Sequence, residues 1–150
     1  MNLYLATDHR GHTIEKELIQ NLKKYLDVNI ITSQLPHSPE DDYVDFALDV
    51  LNRMDKSKDI AVVICGNGIG MSIIANKVRD IRCARVTTID EAVAAREHNG
   101  ANAIALGTTT IYKMTKLILA FINTPLPTEA RHLRRISKII KYEHGEYNEL

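Results

Sequence analysis

Short apolar runs alternate with amphipathic helical patterns along the whole of this 150-residue chain. Sequences written strand, helix, strand, helix build a parallel sheet with helices on its faces, and little else accommodates them. Leu3 to Ala6 reads as a first strand, after which Ile14, Leu18, Leu22 and Tyr25 recur at the spacing of an amphipathic helix. Val28 to Ile31 returns as the second strand. Ser38-Pro39 has the form of a helix cap followed by proline, with Glu40, Asp41 and Asp42 in the first turn, so a helix carrying Tyr43, Ala47, Val50 and Met54 is expected from there. Ile60 to Cys65 is apolar on both faces and rich in β-branched residues, as a central parallel strand must be.

The same reading gives strands over Arg82–Val86 and Ala103–Leu106, and helices over Met71–Val78, Asp90–His98 and Ile111–Phe121. Beyond Pro125-Leu126-Pro127 a last helix is expected, capped by Thr128 and running through Ile136 and Ile140. The expected fold class is α/β: a three-layer αβα sandwich around a Rossmann-like five-stranded parallel sheet, with residues 1–150 forming a single domain. The last helix can pack on the main body or reach a neighbouring subunit, and the expected fold has it packing on a partner subunit.

Composition narrows the partners. With 19 basic and 19 acidic side chains the formal net charge is zero, so the basic excess that binds nucleic acid is missing. The longest apolar runs, Ile60 to Cys65 and Leu117 to Ile122, are far shorter than the ~18 residues of a membrane span. Asp8, His9 and Arg10 interrupt any apolar signal segment, and the expected location is the cytoplasm. Cys65 and Cys83 make neither a disulfide scaffold nor, lacking a Cys-x-x-Cys or His/Cys cluster, a zinc site.

Ligands of an open parallel sheet sit outside the carboxyl ends of its strands, which selects Asp8, His9 and Arg10, Cys65 to Met71, and the residues after Leu106. The most informative of these segments is Cys65-Gly66-Asn67-Gly68-Ile69-Gly70-Met71-Ser72. Its alternating glycines let the backbone turn tightly and present N–H groups to an anion at a helix start. It is neither a dinucleotide fingerprint nor a P-loop, which leaves a small bound phosphate or an oxyanion that develops during reaction.

Position alone leaves Cys65 open between a small buried hydrophobe and a thiol activated beside a helix start. Cys83, inside a strand, reads as core. His98 ends a helix, where the dipole already accounts for it, and His9 follows the first strand; His12, His37 and His144 read as surface. Arg131 and Arg135 share one face of the last helix, the pattern of a phosphate clamp and equally of a solvated charged face.

Five motifs in order, Asp8-His9, Asp42-Tyr43-Val44-Asp45-Phe46-Ala47, Cys65 to Lys77, Ala95-Arg96-Glu97-His98-Asn99 and Arg131-His132-Leu133-Arg134-Arg135, resemble the ribose-5-phosphate isomerase B family, which includes the galactose-6-phosphate isomerase subunits. The resemblance spans about Leu3 to Ile140. It implies interconversion of aldose and ketose sugar phosphates through an enediolate without metal or cofactor, at sites shared by two subunits of a homodimer that can pair further. Carried across, Cys65 is the base, His98 of the neighbouring subunit opens the sugar ring, and Asp8 lies near the hydroxyls. Asn67 and the amides of Gly66, Gly68, Ile69, Gly70 and Met71 meet the enediolate, His9, Arg131 and Arg135 hold the phosphate, and Tyr43 and Asn99 bond substrate oxygens.

Ribose 5-phosphate is the expected substrate. A hexose 6-phosphate such as allose or galactose 6-phosphate, and a non-catalytic binding subunit, are the alternatives. The departures from the family pattern bear on that choice. Asn67 stands for a common threonine, Val44 for proline, Gly100 for aspartate and Thr109 for an arginine. Glu129-Ala130 replaces a glycine pair and places a negative charge near the proposed phosphate site, which weakens phosphate affinity unless it points outward.

Overall fold

A computed structural model describes residues 1–148. Its strands are β1 (Asn2–Thr7), β2 (Asn29–Thr32), β3 (Ile60–Cys65), β4 (Cys83–Arg85) and β5 (Ala103–Gly107). The helices are α1 (His9–Leu22), α2 (Tyr43–Arg53), α3 (Ile69–Ala75), α4 (Ile89–Asn99), α5 (Ile111–Asn123) and α6 (Ala130–Glu143). All five strands are parallel, in the order β2-β1-β3-β5-β4, so the expected αβα sandwich is what forms.

Strand alternation sorts the core into two halves. Leu3, Leu5, Ile60, Val62 and Ile64 face α1, α4 and α5, packing with Leu18, Leu22, Met114, Ile118 and Phe121. Tyr4, Ala6, Ala61, Val63 and Cys65 face α2 and α3, packing with Phe46, Val50, Leu51, Met71 and Ala75. All six residues of β3 are buried, as a strand covered on both faces requires. From β1 the chain first winds outward to β2 and then returns to β3 on the other side. The gap between β1 and β3 is therefore the topological switch point, where such sheets bind ligands.

Element ends differ from expectation where polar side chains take over. The Ser38-Pro39 start does not form a helix. Asp41 instead accepts hydrogen bonds from the Ser38 amide and two imidazoles, closing a loop, and α2 begins only at Tyr43. Helix α3 starts two residues early and stops at Ala75, because the Asn76 side chain turns to pair with both backbone groups of Cys83 at 2.9 Å. Helix α6 has Glu129, not Thr128, at its N-cap position, and the Glu129 side chain makes no capping bond. It packs on α4 of its own chain, with Ile136 close to Gly100, and reaches Glu143, the first residue of the Glu143–Leu150 tail; residues 149–150 lie outside the described range. No described helix is long and apolar enough to cross a membrane.

Candidate active site

The ends of β1 and β3 open into a cleft of about 750 Å³ lined by Asp8, His9, Arg10, Asp41, Tyr43, Cys65, Gly66, Asn67, Ile69, Gly70 and Ile73. Cys65 ends β3 and is 5% exposed. Its carbonyl is held by the Thr108 amide at 3.0 Å, which fixes the residue from which the glycine loop departs. Asp8 caps α1: one carboxylate oxygen accepts from the amides of Arg10 and Gly11, each at 3.0 Å, leaving the other for a ligand.

Close approach explains the glycines. Gly68 has φ +77°, and a Cβ there would stand 2.8 Å from the Leu106 carbonyl carbon at the end of β5. A Cβ on Gly70 would meet the Tyr43 ring, so α2 and α3 are fitted together by the aromatic residue that borders the cleft. Residues of the first helical turn have no acceptor within their own helix. Of these amides, Ile69 is already engaged by Asn67 Oδ1 at 3.0 Å, so it is not available to an anion in this arrangement. Met71 is fully buried, backbone included, and does not line the cleft.

Three participants escaped the sequence reading. Arg10 was placed at the right edge but given no role; its guanidinium lies over Gly66. Arg85 donates to the Asn67 carbonyl at 2.8 Å and braces the loop from β4. Asp41 receives His9 Nδ1 at 2.8 Å and His37 Nδ1 at 3.3 Å. Burial would raise the Asp41 carboxyl, but hydrogen bonds from His9, Ser38 and His37 outweigh it and hold the group below its usual 3.8. No periodicity marks such residues, because each acts across the chain.

His98, Asn99, Arg131 and Arg135 lie elsewhere. Helix α4 runs back against the strands from the carboxyl edge, so its end is carried roughly 15 Å toward the opposite edge. There His98 stacks on the buried His132 of α6, ring centroids 4.7 Å apart. Arg131 donates through Nε to Glu129 Oε2 at 2.7 Å, so the Glu129 charge does not point away from the arginine pair. Thr109 borders an adjoining hollow of about 230 Å³ with Arg85 and Lys113, which shares Gly66 and Asn67 with the cleft, and Gly100 closes α4 in the left-handed conformation.

His37 is not a surface residue: its ring stacks on Phe46 at 4.4 Å and its side chain is 15% exposed. His144 is half-buried against Asp80 at 2.8 Å, whereas His12 is exposed. Cys83 is only half-buried, although burial pushes its thiol up to about 12. His12, Glu15 and His37, and separately Asp80, Glu143 and His144, bring ligand atoms within 4.8 Å of one another. Neither group lines the cleft, and the rings of His12 and His37 are stacked 3.9 Å apart. A depression of about 600 Å³ beside α2 carries Glu40, Asp41, Asp42, Asp45 and Asp49 against Arg53, a balance that repels phosphate. The openings beside the glycine loop, the cleft at Cys65 and the adjoining hollow with Arg85 and Lys113, carry cationic side chains and loop backbone that suit an anion.

Residues 3–139 match the family model described as Ribose/Galactose Isomerase. The chain belongs to that family. The ribose-5-phosphate isomerase B of Mycobacterium tuberculosis strain H37Rv is 34% identical over 146 residues, covering 95% of this chain and 90% of that protein. The type B ribose 5-phosphate isomerase of Trypanosoma cruzi superposes with a TM-score of 0.88 at 34% identity, covering 97% of this chain and 99% of the other. The Mycoplasma genitalium ribose-5-phosphate isomerase B, solved with bound ribulose-5-phosphate, gives 0.86 at 35% identity, covering 95% and 96%. Family membership agrees with the fold and with a cleft at the switch point.

Proposed function

We propose that this isomerase interconverts ribose 5-phosphate and ribulose 5-phosphate, with Cys65 as the base. The observation that carries the reading is the convergence of Cys65, Asp8, Tyr43 and the glycine-loop backbone on one cleft at the switch point. The thiolate of Cys65 takes the C2 proton of the open-chain aldose, the electron pair forms the C1–C2 double bond, and negative charge collects on O1. Return of the proton to C1, with the O2 proton passing to O1, completes the ketose. The Gly70 amide at the α3 start, together with the Asn67 side-chain amide, meets the developing oxyanion. Such donors are worth about 2.7–4 kcal/mol each in comparable sites. Asp8 and Tyr43 bond sugar hydroxyls.

His98, which opens the ring, and Asn99 reach this cleft from a second subunit, because their own chain carries them to the far edge of the sheet. Arg131 and Arg135 join His9 at the phosphate, which requires Arg131 to exchange Glu129 for the substrate. The active unit is accordingly a homodimer with shared sites. Chelator-treated protein should isomerise ribose 5-phosphate with a kcat/KM above that on allose or galactose 6-phosphate. A hexose preference would transfer the same chemistry to a longer sugar. Binding of all three without turnover would make the chain a sugar-phosphate-binding subunit.

A further inference from the structure

We propose that Asp41 is a positioning residue for His9, its carboxylate setting which imidazole nitrogen meets the substrate. The proposal rests on the reading of His9 as a phosphate contact. Asp41 Oδ1 lies 2.8 Å from His9 Nδ1 and 3.2 Å from the His9 backbone nitrogen, so ring and main chain are held by one oxygen. The other oxygen receives the Ser38 amide at 3.2 Å and His37 Nδ1 at 3.3 Å. An ionised carboxylate has no hydrogen to give, so each imidazole donates to it through Nδ1. For His9 this leaves Nε2 as the one ring nitrogen available to the cleft.

The carboxylate is itself anchored. The His37 ring lies parallel to Phe46 within 5°, and Phe46 is 1% exposed in the core between the sheet and α2. A continuous path therefore runs from Phe46 through His37 and Asp41 to His9. It matters because His9 is 40% exposed, while the Asp41 side chain is 6% exposed. An exposed imidazole loses rotational freedom when it engages a ligand, and a buried partner that fixes its ring beforehand removes that cost from binding. With Nδ1–H on Asp41, a protonated ring offers Nε2–H to a phosphate oxygen.

Two measurements decide the matter. Long-range ¹H–¹⁵N correlation at a pH where His9 is neutral should show the Nδ1–H tautomer, with Asp41→Ala, which removes the acceptor, abolishing that preference. Observation of the Nε2–H tautomer in the unmodified protein would overturn the proposal without any variant having to fold. In steady-state kinetics on ribose 5-phosphate, Asp41→Ala should raise KM about tenfold with kcat within about twofold. The same change in a His9→Asn background should add nothing. An equal rise in KM with and without His9 would give Asp41 a structural role independent of it, and would also overturn the proposal. Absence of turnover would sink the substrate reading and leave the tautomer measurement to decide on Asp41.

Discussion

A methyl group on Gly70 would stand 2.5 Å from both the Cζ and the hydroxyl oxygen of Tyr43, so the first turn of α3 and the first residue of α2 leave no room between them. Gly70→Ala should therefore displace Tyr43 from the cleft while leaving the buried core in place. Misplacement by about 1 Å can cost on the order of 10²-fold in rate. A fall of that size in kcat/KM with an unchanged circular dichroism spectrum is expected. Full activity would show that the Tyr43 ring can move without consequence.

Asp49 gives the fold an acid-sensitive clasp between the β2–α2 loop and α2. Burial raises its carboxyl, but the Gln34 amide at 2.9 Å, the Ser33 hydroxyl at 2.8 Å and Arg53 at 3.1 Å outweigh that and hold it below the usual 3.8. A folded value below the unfolded one means that the stabilisation is complete above about pH 4 and disappears as pH falls through the lowered value. Asp49→Asn should cost about 1 kcal/mol at pH 7. The gap between the variant and the parent in urea denaturation should narrow as the pH falls below 3.8. A gap that does not change with pH would mean the carboxylate charge contributes nothing.

Much of this was legible from local pattern. The six-residue apolar run Ile60–Cys65 announced the central strand because burial on both faces leaves no polar position, and the glycine loop followed at its carboxyl end. What pattern could not supply were side chains whose partners are distant in sequence. Asp41 reads as a first-turn acid after Ser38-Pro39, and only the fold brings His9 to it from 32 residues away. His37 has the neighbours of a surface residue in sequence, yet it stacks on Phe46. Glu129 was recognised as a charge near the arginines, but its bond to Arg131 depends on the helix entry angle, which no periodicity encodes.

The cysteines should separate chemically. At pH 8 a thiol pushed up to about 12 is a thiolate in only about one molecule in ten thousand, so Cys83 should resist alkylation in the native protein and react on unfolding. Peptide mapping after timed iodoacetamide treatment should find label on Cys65 first. Preferential labelling of Cys83 would reverse the assignment of the two.

The separation of His98 from Cys65 within one chain predicts complementation. Cys65→Ala and His98→Asn proteins, each with little activity, should regain turnover when unfolded together and refolded as a mixture. Random pairing places an intact cysteine and histidine at one site of each mixed dimer, giving roughly a quarter of parental activity. No recovery, with mixed dimers demonstrated by mass, would confine each site to a single chain.

In the proposed mechanism the Cys65 sulfur moves the proton between C2 and C1. The most direct test of that step is turnover of ribose 5-phosphate by Cys65→Ala, followed by exchange of the C2 hydrogen with deuterated solvent. The variant should keep the parental fold and sugar-phosphate binding but lose isomerisation and exchange together, by at least about 10³-fold. Isomerisation at the parental rate in that variant would contradict the account and assign the proton to another group.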